Sequence, residues 1–307
     1  MKIIFMGTPE FAVPSLKALI ESHEILCVVT QTDKPKGRGQ KLQPPPIKIF
    51  AEKNNIPVLQ PTKLKSPEVL SELEKLNADL IVVVAYGKIL PQNILDLPKF
   101  GCINVHGSIL PKYRGAAPIE WAMINGEKFT GITTMKMNTG LDTGDMLLTS
   151  KVEIGDEMIL PELKEILSVE GAKLLIETID NLDKIIPIKQ DDSLSTYAPM
   201  LTKDTGKIDW AKPAREIHNL ARGLYGVAFS FIDGQKFKIW RTKIFDGNLK
   251  LSAGEIKIDG KKFFTGTGEG TLEILELQAP NSKKMNAASY LAGHKITSNK
   301  FTGDLSN

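Results

Sequence analysis

Cysteine and histidine are scarce in this chain, with two and four residues respectively among 307. Cys27 lies in EILCVVT and Cys102 in GCINVHG. Both settings are apolar and strand-like, so both cysteines read as small buried hydrophobes rather than a disulfide or a redox pair. The histidines are scattered, and no HxH, HExxH or CxxC occurs, so no metal-ligand set is recognisable and no metal is expected. Long apolar runs are also missing. The longest covers residues 80–85, far short of the ~20 residues that a membrane helix needs. No basic stretch, apolar stretch and cleavage site precede the strand-like KIIFMG, so no export signal is expected and the chain reads as cytoplasmic. MGTPEF, after that first apolar run, holds one glycine. A dinucleotide site of the GxGxxG kind is therefore not indicated.

What is present describes a globular protein of two domains. Hydrophobic residues make up 42% and charged residues 24%, enough for a core in each. Strand and helix signals alternate through the first half. Strands are predicted at residues 3–6, 25–29, Leu80–Val84, Cys102–His106 and 131–137, with helices at 14–21, 47–53, 67–76, 116–124 and 161–182. This alternation predicts a doubly wound, mostly parallel sheet, a class that places ligands beyond the C-terminal ends of its strands. The predicted domains are 1–182 and 213–307, joined by a linker at 183–212 rich in Pro, Asp, Ser, Thr and Lys. After a helix at 214–222, short strands at 228–232, 237–240, 255–258 and 272–277 are separated by IDGQ, FDGN, IDGK and GTGEG turns. That pattern predicts a small β-barrel.

Charge is unevenly spread. Residues 1–207 carry 24 Lys and Arg against 26 Asp and Glu, whereas residues 208–307 carry 15 against 10. The basic C-terminal third suits a phosphate-backbone partner, or equally a Lys-rich solvated surface. Within DKPKGRGQKLQPPPIK, Lys34, Lys36, Arg38 and Lys41 face a single acid, Asp33. Two glycines flank Arg38. The segment reads as a mobile basic loop able to clamp nucleic-acid phosphates, or as a plain solvated loop.

Two short stretches could carry chemistry. If Cys102–His106 is a strand, Asn104 and His106 share a face, with Gly107 at the strand's C-terminal end. An amide can stabilise an oxyanion, and an imidazole exchanges protons near neutral pH. Both side chains could equally make structural hydrogen bonds. NTGLDTGDML follows a strand, and either Asp142 or Asp145 could orient His106. It could also be an Asx-rich turn.

SILPKYRGAAPIEWAMINGE, directly after NVHG, taken with LDTGD, resembles the folate-dependent formyltransferases. MGTPEFAVPSL, TQTDKPKGRGQKL, QDDSLSTYAP and LEILELQAPNSKKMNAASYLAG are similar to the branch of that family that acts on methionyl-tRNA. The resemblance spans nearly the whole chain. It implies a Rossmann-like catalytic domain followed by an OB-like barrel. It also implies an enzyme that moves a formyl group from 10-formyltetrahydrofolate to the α-amine of methionyl-initiator tRNA, the alternative being a formyltransferase or formylfolate hydrolase that acts on a small-molecule amine or on water. Apart from the resemblance, a monomer is expected. Asn104, His106 and Asp142 match the family's catalytic trio. Ser108, Ile109, Leu110 and Pro111 match its folate-contacting stretch, with Ile109 where leucine is usual. Tyr86 and Gly87 are assigned to the folate side as well. Arg38 matches the arginine of a tRNA-contacting loop, and Lys34, Lys36 and Lys41 go with it. Met200 stands where lysine is usual, LYGVAFSF lacks a proline-rich run, and APNSKKM replaces a glycine-containing turn.

Overall fold

The computed structural model describes residues 1–36 and 41–302. Contacts divide the chain into two compact units. One comprises Met1–Pro118, Thr130–Val152 and Lys164–Pro199, and the other Ile119–Phe129, Glu153–Leu163 and Met200–Asn307.

The first unit is built on a seven-stranded sheet. Its strands are β1 (Lys2–Gly7), β2 (Glu24–Val29), β3 (Val58–Leu59), β4 (Leu80–Val84), β5 (Cys102–His106), β6 (Phe129–Lys136) and β7 (Met146–Glu153), in the order β7-β6-β5-β4-β1-β2-β3. Pairs among β1 to β5 are parallel, and β6 runs antiparallel to β5. The expected doubly wound, mostly parallel sheet is thus observed. All five residues of β4, LIVVV, are buried, as a parallel sheet covered on both faces requires. The chain leaves β1 toward β2 and β3, then returns to β4 on the other side. That reversal makes the crevice at the C-terminal ends of β1 and β4 the place where this class binds ligands.

Helices close the faces. One of them, Pro67–Lys75, starts at an N-cap, Ser66, whose side chain accepts from the Val69 N–H, with proline in the first turn. A 21-residue helix, Leu160–Asp180, packs on the sheet. Gly171 there leaves room for Val105 and Ile132, and the Thr178 hydroxyl lies 2.8 Å from that of Thr134. Cys27 and Cys102 are buried free thiols, each pushed up to about 12 chiefly by burial, in keeping with a role as small hydrophobes.

Several elements depart from the sequence expectations. The basic segment is not simply a loop: Lys34–Lys36 pairs antiparallel with Lys41–Gln43. Arg38 and the flanking Gly37 and Gly39 lie outside the described residues. Strand β7 was not predicted, because MLLTSKVE alternates half-buried and polar positions at the sheet edge. The helix expected from 116 starts at Pro118, since the N–H groups of Ala116 and Ala117 donate to the Ala198 carbonyl. The stretch 183–212 holds a short 3-10 turn, Asp192–Leu194, and a two-residue strand, Tyr197–Ala198, that pairs parallel with Arg114–Gly115.

In the second unit, β8 (Phe229–Ile232), β9 (Gln235–Ile244), β10 (Ile256–Asp259), β11 (Lys262–Gly266) and β12 (Thr271–Gln278) form a curled antiparallel sheet ordered β8-β9-β12-β11-β10. Strand β11, unpredicted in KKFFTG, supplies buried Phe263 and Phe264. Residues 299–302 bridge the two edges: Thr302 exchanges hydrogen bonds with Phe231, and Ile256 donates to Asn299. Closure of the edges makes the OB-like barrel. Phe301 fills it, stacked 4.8 Å from Trp210 and 5.8 Å from Phe263.

Candidate active site

Strand β5 places Asn104 and His106 on one face at the C-terminal end of the sheet, two residues apart. Val83 of β4 is in register with Asn104, and Thr133 of β6 with His106. Asn104 is half-buried, and its amide has no hydrogen bond to the described residues. It is therefore available to a bound molecule.

His106 is buried. Its Nε2 lies 3.0 Å from the Tyr113 carbonyl oxygen, and its Nδ1 3.6 Å from Asp142 Oδ1. A carbonyl can only accept, so Nε2 carries a hydrogen and a neutral ring leaves the lone pair on Nδ1. A proton arriving at Nδ1 then has a carboxylate beside it. Asp142, rather than Asp145, is the acid at the ring; Asp145 is exposed.

The carboxylate is itself held. Asp142 Oδ2 accepts from the Gly115 N–H at 2.8 Å. Gly115 takes φ +123°, and a Cβ there would sit 2.5 Å from the Ala198 carbonyl oxygen. Only glycine fits that close approach without strain. Asp142 adopts φ +53°, an uncommon backbone state for a residue with a side chain. Gly144, two positions on, leaves no space for a Cβ against the Lys136 carbonyl.

The turn after β5 is braced from within. Ser108 Oγ donates to the Lys112 carbonyl at 2.6 Å, and Thr133 Oγ1 donates to the Ser108 carbonyl at 2.7 Å. Leu110 N–H donates to Thr133 Oγ1 at 3.1 Å, and the Leu110–Pro111 peptide is cis. The Ser108 hydroxyl is thus engaged by the turn, while Ile109 is half-buried and Leu110 buried.

Beyond β4, Ala85 and Gly87 are exposed and both have positive φ. The Tyr86 ring between them is turned into the core, where burial pushes its phenol up to about 12. Its carbonyl accepts from Thr8 Oγ1 and Gln31 Nε2. Because β4 and β5 are parallel neighbours, their following turns lie side by side.

The ribbon bearing Lys34, Lys36 and Lys41 follows β2, which ends on the same side of the sheet as His106. Lys34 and Lys41 are exposed. Asp33 at its base is held below the usual carboxylate range by hydrogen bonds from Gln60 and Lys48. Sequence reasoning missed Tyr113, Gly115, Thr133 and Gln190 as parts of the site. Among the described residues, no group of three His, Cys, Asp or Glu that could hold a metal is present, and no helix is long and apolar enough to cross a membrane.

Residues 1–179 match the family described as Formyl transferase, and residues 200–295 match Formyl transferase, C-terminal domain. The Methionyl-tRNA formyltransferase of Acetivibrio thermocellus is 51% identical over 310 residues, covering 99% of this chain and 100% of the relative. That of Alkaliphilus oremlandii is 53% identical over 311 residues, with the same coverage of 99% and 100%. Among solved structures, WlaRD, a sugar 3N-formyl transferase, has a TM-score of 0.68 at 21% identity, covering 92% of this chain and 99% of that one. HypX from Aquifex aeolicus in complex with tetrahydrofolic acid has a TM-score of 0.61 at 16% identity, over 95% of this chain and 47% of that one. These two likenesses concern the fold alone. Given near full-length relatives at about half identity, together with a doubly wound domain that brings Asn104, His106 and Asp142 to one strand end, the chain belongs to the methionyl-tRNA formyltransferase family.

Proposed function

We propose that this chain transfers the formyl group of 10-formyltetrahydrofolate to the free α-amino group of methionyl-initiator tRNA. The observation that carries this reading is the Asn104 amide, without a partner among the described residues, beside an imidazole whose Nδ1 faces a carboxylate at 3.6 Å. Acyl transfer to an amine needs those two services: a donor for the developing oxyanion and an acceptor for the amine proton.

In the reaction, the amine nitrogen forms a bond to the formyl carbon and the bond from that carbon to the folate nitrogen breaks. The Asn104 N–H donates to the formyl oxygen as it gains charge. One such donor is typically worth about 3–4 kcal/mol. His106 takes the amine proton at Nδ1, with Nε2–H anchored on the Tyr113 carbonyl. Asp142 pairs with the imidazolium so formed, and the proton passes on to the departing folate nitrogen. Holding the amine against the formyl carbon contributes most, since orientation supplies roughly 7–11 kcal/mol in well-aligned cases.

The donor is assigned to the adjacent turns at Ser108, Ile109, Leu110 and Pro111 and at Tyr86 and Gly87. Ser108 shapes the first turn through its bond to Lys112, leaving Ile109 and backbone groups to meet the folate. Tyr86 acts through its backbone, since its ring faces the core. Lys34, Lys36 and Lys41, with Arg38 between them in the chain, bind tRNA phosphates, and the basic excess in residues 208–307 adds to the same attraction. No metal takes part in this scheme.

The test is to incubate the purified chain with 10-formyltetrahydrofolate and either methionyl-initiator or methionyl-elongator tRNA, and to measure formylmethionine. Formylation of the initiator alone is expected. Release of free formate, or formylation of small amines with neither tRNA modified, would contradict the reading.

A further inference from the structure

We propose that Gln190 is a positioning residue for formyl transfer: it holds the loop that carries Asp142 in the conformation that sets the carboxylate against His106. The inference rests on the function proposed above and adds a residue, from a distant part of the chain, to the same site.

Gln190 is 5% exposed, and the nitrogen of its carboxamide is directed at this loop. Nε2 donates to the Asp142 carbonyl at 2.8 Å and to the Gly144 carbonyl at 2.7 Å. Oε1 accepts from Arg114 Nε at 3.0 Å. Both amide hydrogens thus grip two carbonyls inside the LDTGD turn, one on either side of Thr143.

The loop needs such a grip. Asp142 sits at φ +53°, a state uncommon for residues with a side chain although aspartate visits it more readily than most, and hydrogen bonds to its backbone help to hold it there. The grip is also closed on itself. Arg114 is followed by Gly115, whose N–H orients Asp142 Oδ2 at 2.8 Å. One glutamine therefore fixes the backbone that places the carboxylate and, through Arg114, the neighbour of the N–H that aims it. Arg114 is further paired with the exposed Asp192 Oδ1 at 2.8 Å, a second contact between its side chain and the segment bearing Gln190. The separation of 3.6 Å between His106 and Asp142 leaves little tolerance, since a small drift of the turn takes the carboxylate out of ion-pair range.

Gln190 touches neither the ring nor the reacting atoms, so its influence must pass through Asp142. This distinguishes it from a residue that merely supports the fold. The test uses the full chain with Gln190→Met, which keeps the volume and loses every hydrogen bond. Gln190→Glu serves as a second variant, keeping an acceptor for Arg114 while presenting oxygens to the two carbonyls. Single-turnover formyl transfer is measured for each, alone and combined with Asp142→Asn, together with KM for both substrates and the thermal midpoint.

Both single variants are expected to lose tenfold or more in rate with KM changed less than threefold. The double variants are expected to be no slower than Asp142→Asn alone, because residues acting through one another are non-additive. Losses that multiply in the double variants, a loss confined to KM, or a wild-type rate in Gln190→Met would overturn the proposal. The wild type in the same series separates the two readings. A wild type without formyl transfer overturns the functional reading and this one together, whereas an active wild type indifferent to Gln190→Met overturns this one alone.

Discussion

At the scale of single residues, the site depends on which atoms are already committed. His106 Nε2 is tied to a carbonyl and Asp142 Oδ2 to a backbone N–H, so Nδ1 and the Asn104 amide are what remain for substrate. Gly115 is where this arrangement is most exposed to mutation. Gly115→Ala puts a methyl group 2.5 Å from the Ala198 carbonyl at φ +123°, so the backbone must shift and the N–H leaves Asp142. Formyl transfer is expected to fall by a factor of ten or more while the chain stays folded by circular dichroism; a wild-type rate in this variant contradicts the assignment. Asn104 and His106 were legible in the sequence because strand alternation puts them on one face. The choice between Asp142 and Asp145 was settled there only by family resemblance, since both lie in one loop and spacing cannot say which meets the ring. Tyr113, Gly115 and Gln190 were not legible. Their contributions run through backbone groups or through contacts distant in sequence.

At the scale of elements, the barrel is closed by residues 299–302, and Phe301 is its central plug, stacked on Trp210 and Phe263. Phe301→Ala removes that plug. A loss of about 3–5 kcal/mol in urea-induced unfolding is expected, as for other buried Phe→Ala changes; a loss under 1 kcal/mol would show that the ring does not seal the barrel. The helix Ala214–Gly223 carries polar side chains, His218 among them, in its buried face. His218 Nε2 donates to the Asp156 carbonyl at 3.0 Å, and Nδ1 lies 2.9 Å from Thr242 Oγ1. Burial lowers the His218 pKa from its ordinary 6.5; the Asp156 carbonyl and Glu157 oppose this, and Arg222 and Arg215 add to it. The folded state therefore binds this proton less readily than the unfolded state, and stability falls as pH drops below about 6.5. Thermal midpoints measured from pH 7 to pH 5 are expected to decline more steeply in the wild type than in His218→Gln; equal slopes contradict the sign. The sheet strands were legible as apolar runs such as LIVVV. Edge strand β7, the basic ribbon and the closing segment 299–302 were hidden, because short or half-exposed strands carry little hydrophobic pattern and are defined by their partners.

At the scale of the whole molecule, Asn104, His106, Asp142 and Gln190 all belong to the first compact unit, whereas the excess of basic residues lies in 208–307. Under the proposed function the chemistry lies in the first unit, while polyanion attraction is shared between the ribbon lysines of that unit and the basic excess in 208–307, so the residues for the two tasks are separate. The fold of each part was visible as a pattern, strands alternating with helices and then short strands separated by Gly-Asp turns, whereas the grouping of Ile119–Phe129 and Glu153–Leu163 with the second unit was not, because it is made by contacts distant in sequence. A variant of the site should therefore lose rate without losing RNA. The most direct measurement is the single-turnover rate of formyl transfer to methionyl-initiator tRNA for Asn104→Ala and His106→Ala, with the dissociation constant of the tRNA determined on the same preparations. The account predicts a rate loss of a hundredfold or more with a dissociation constant within threefold of wild type. Equal losses of rate and binding, or an undiminished rate, would contradict the assignment of the chemistry to this strand end.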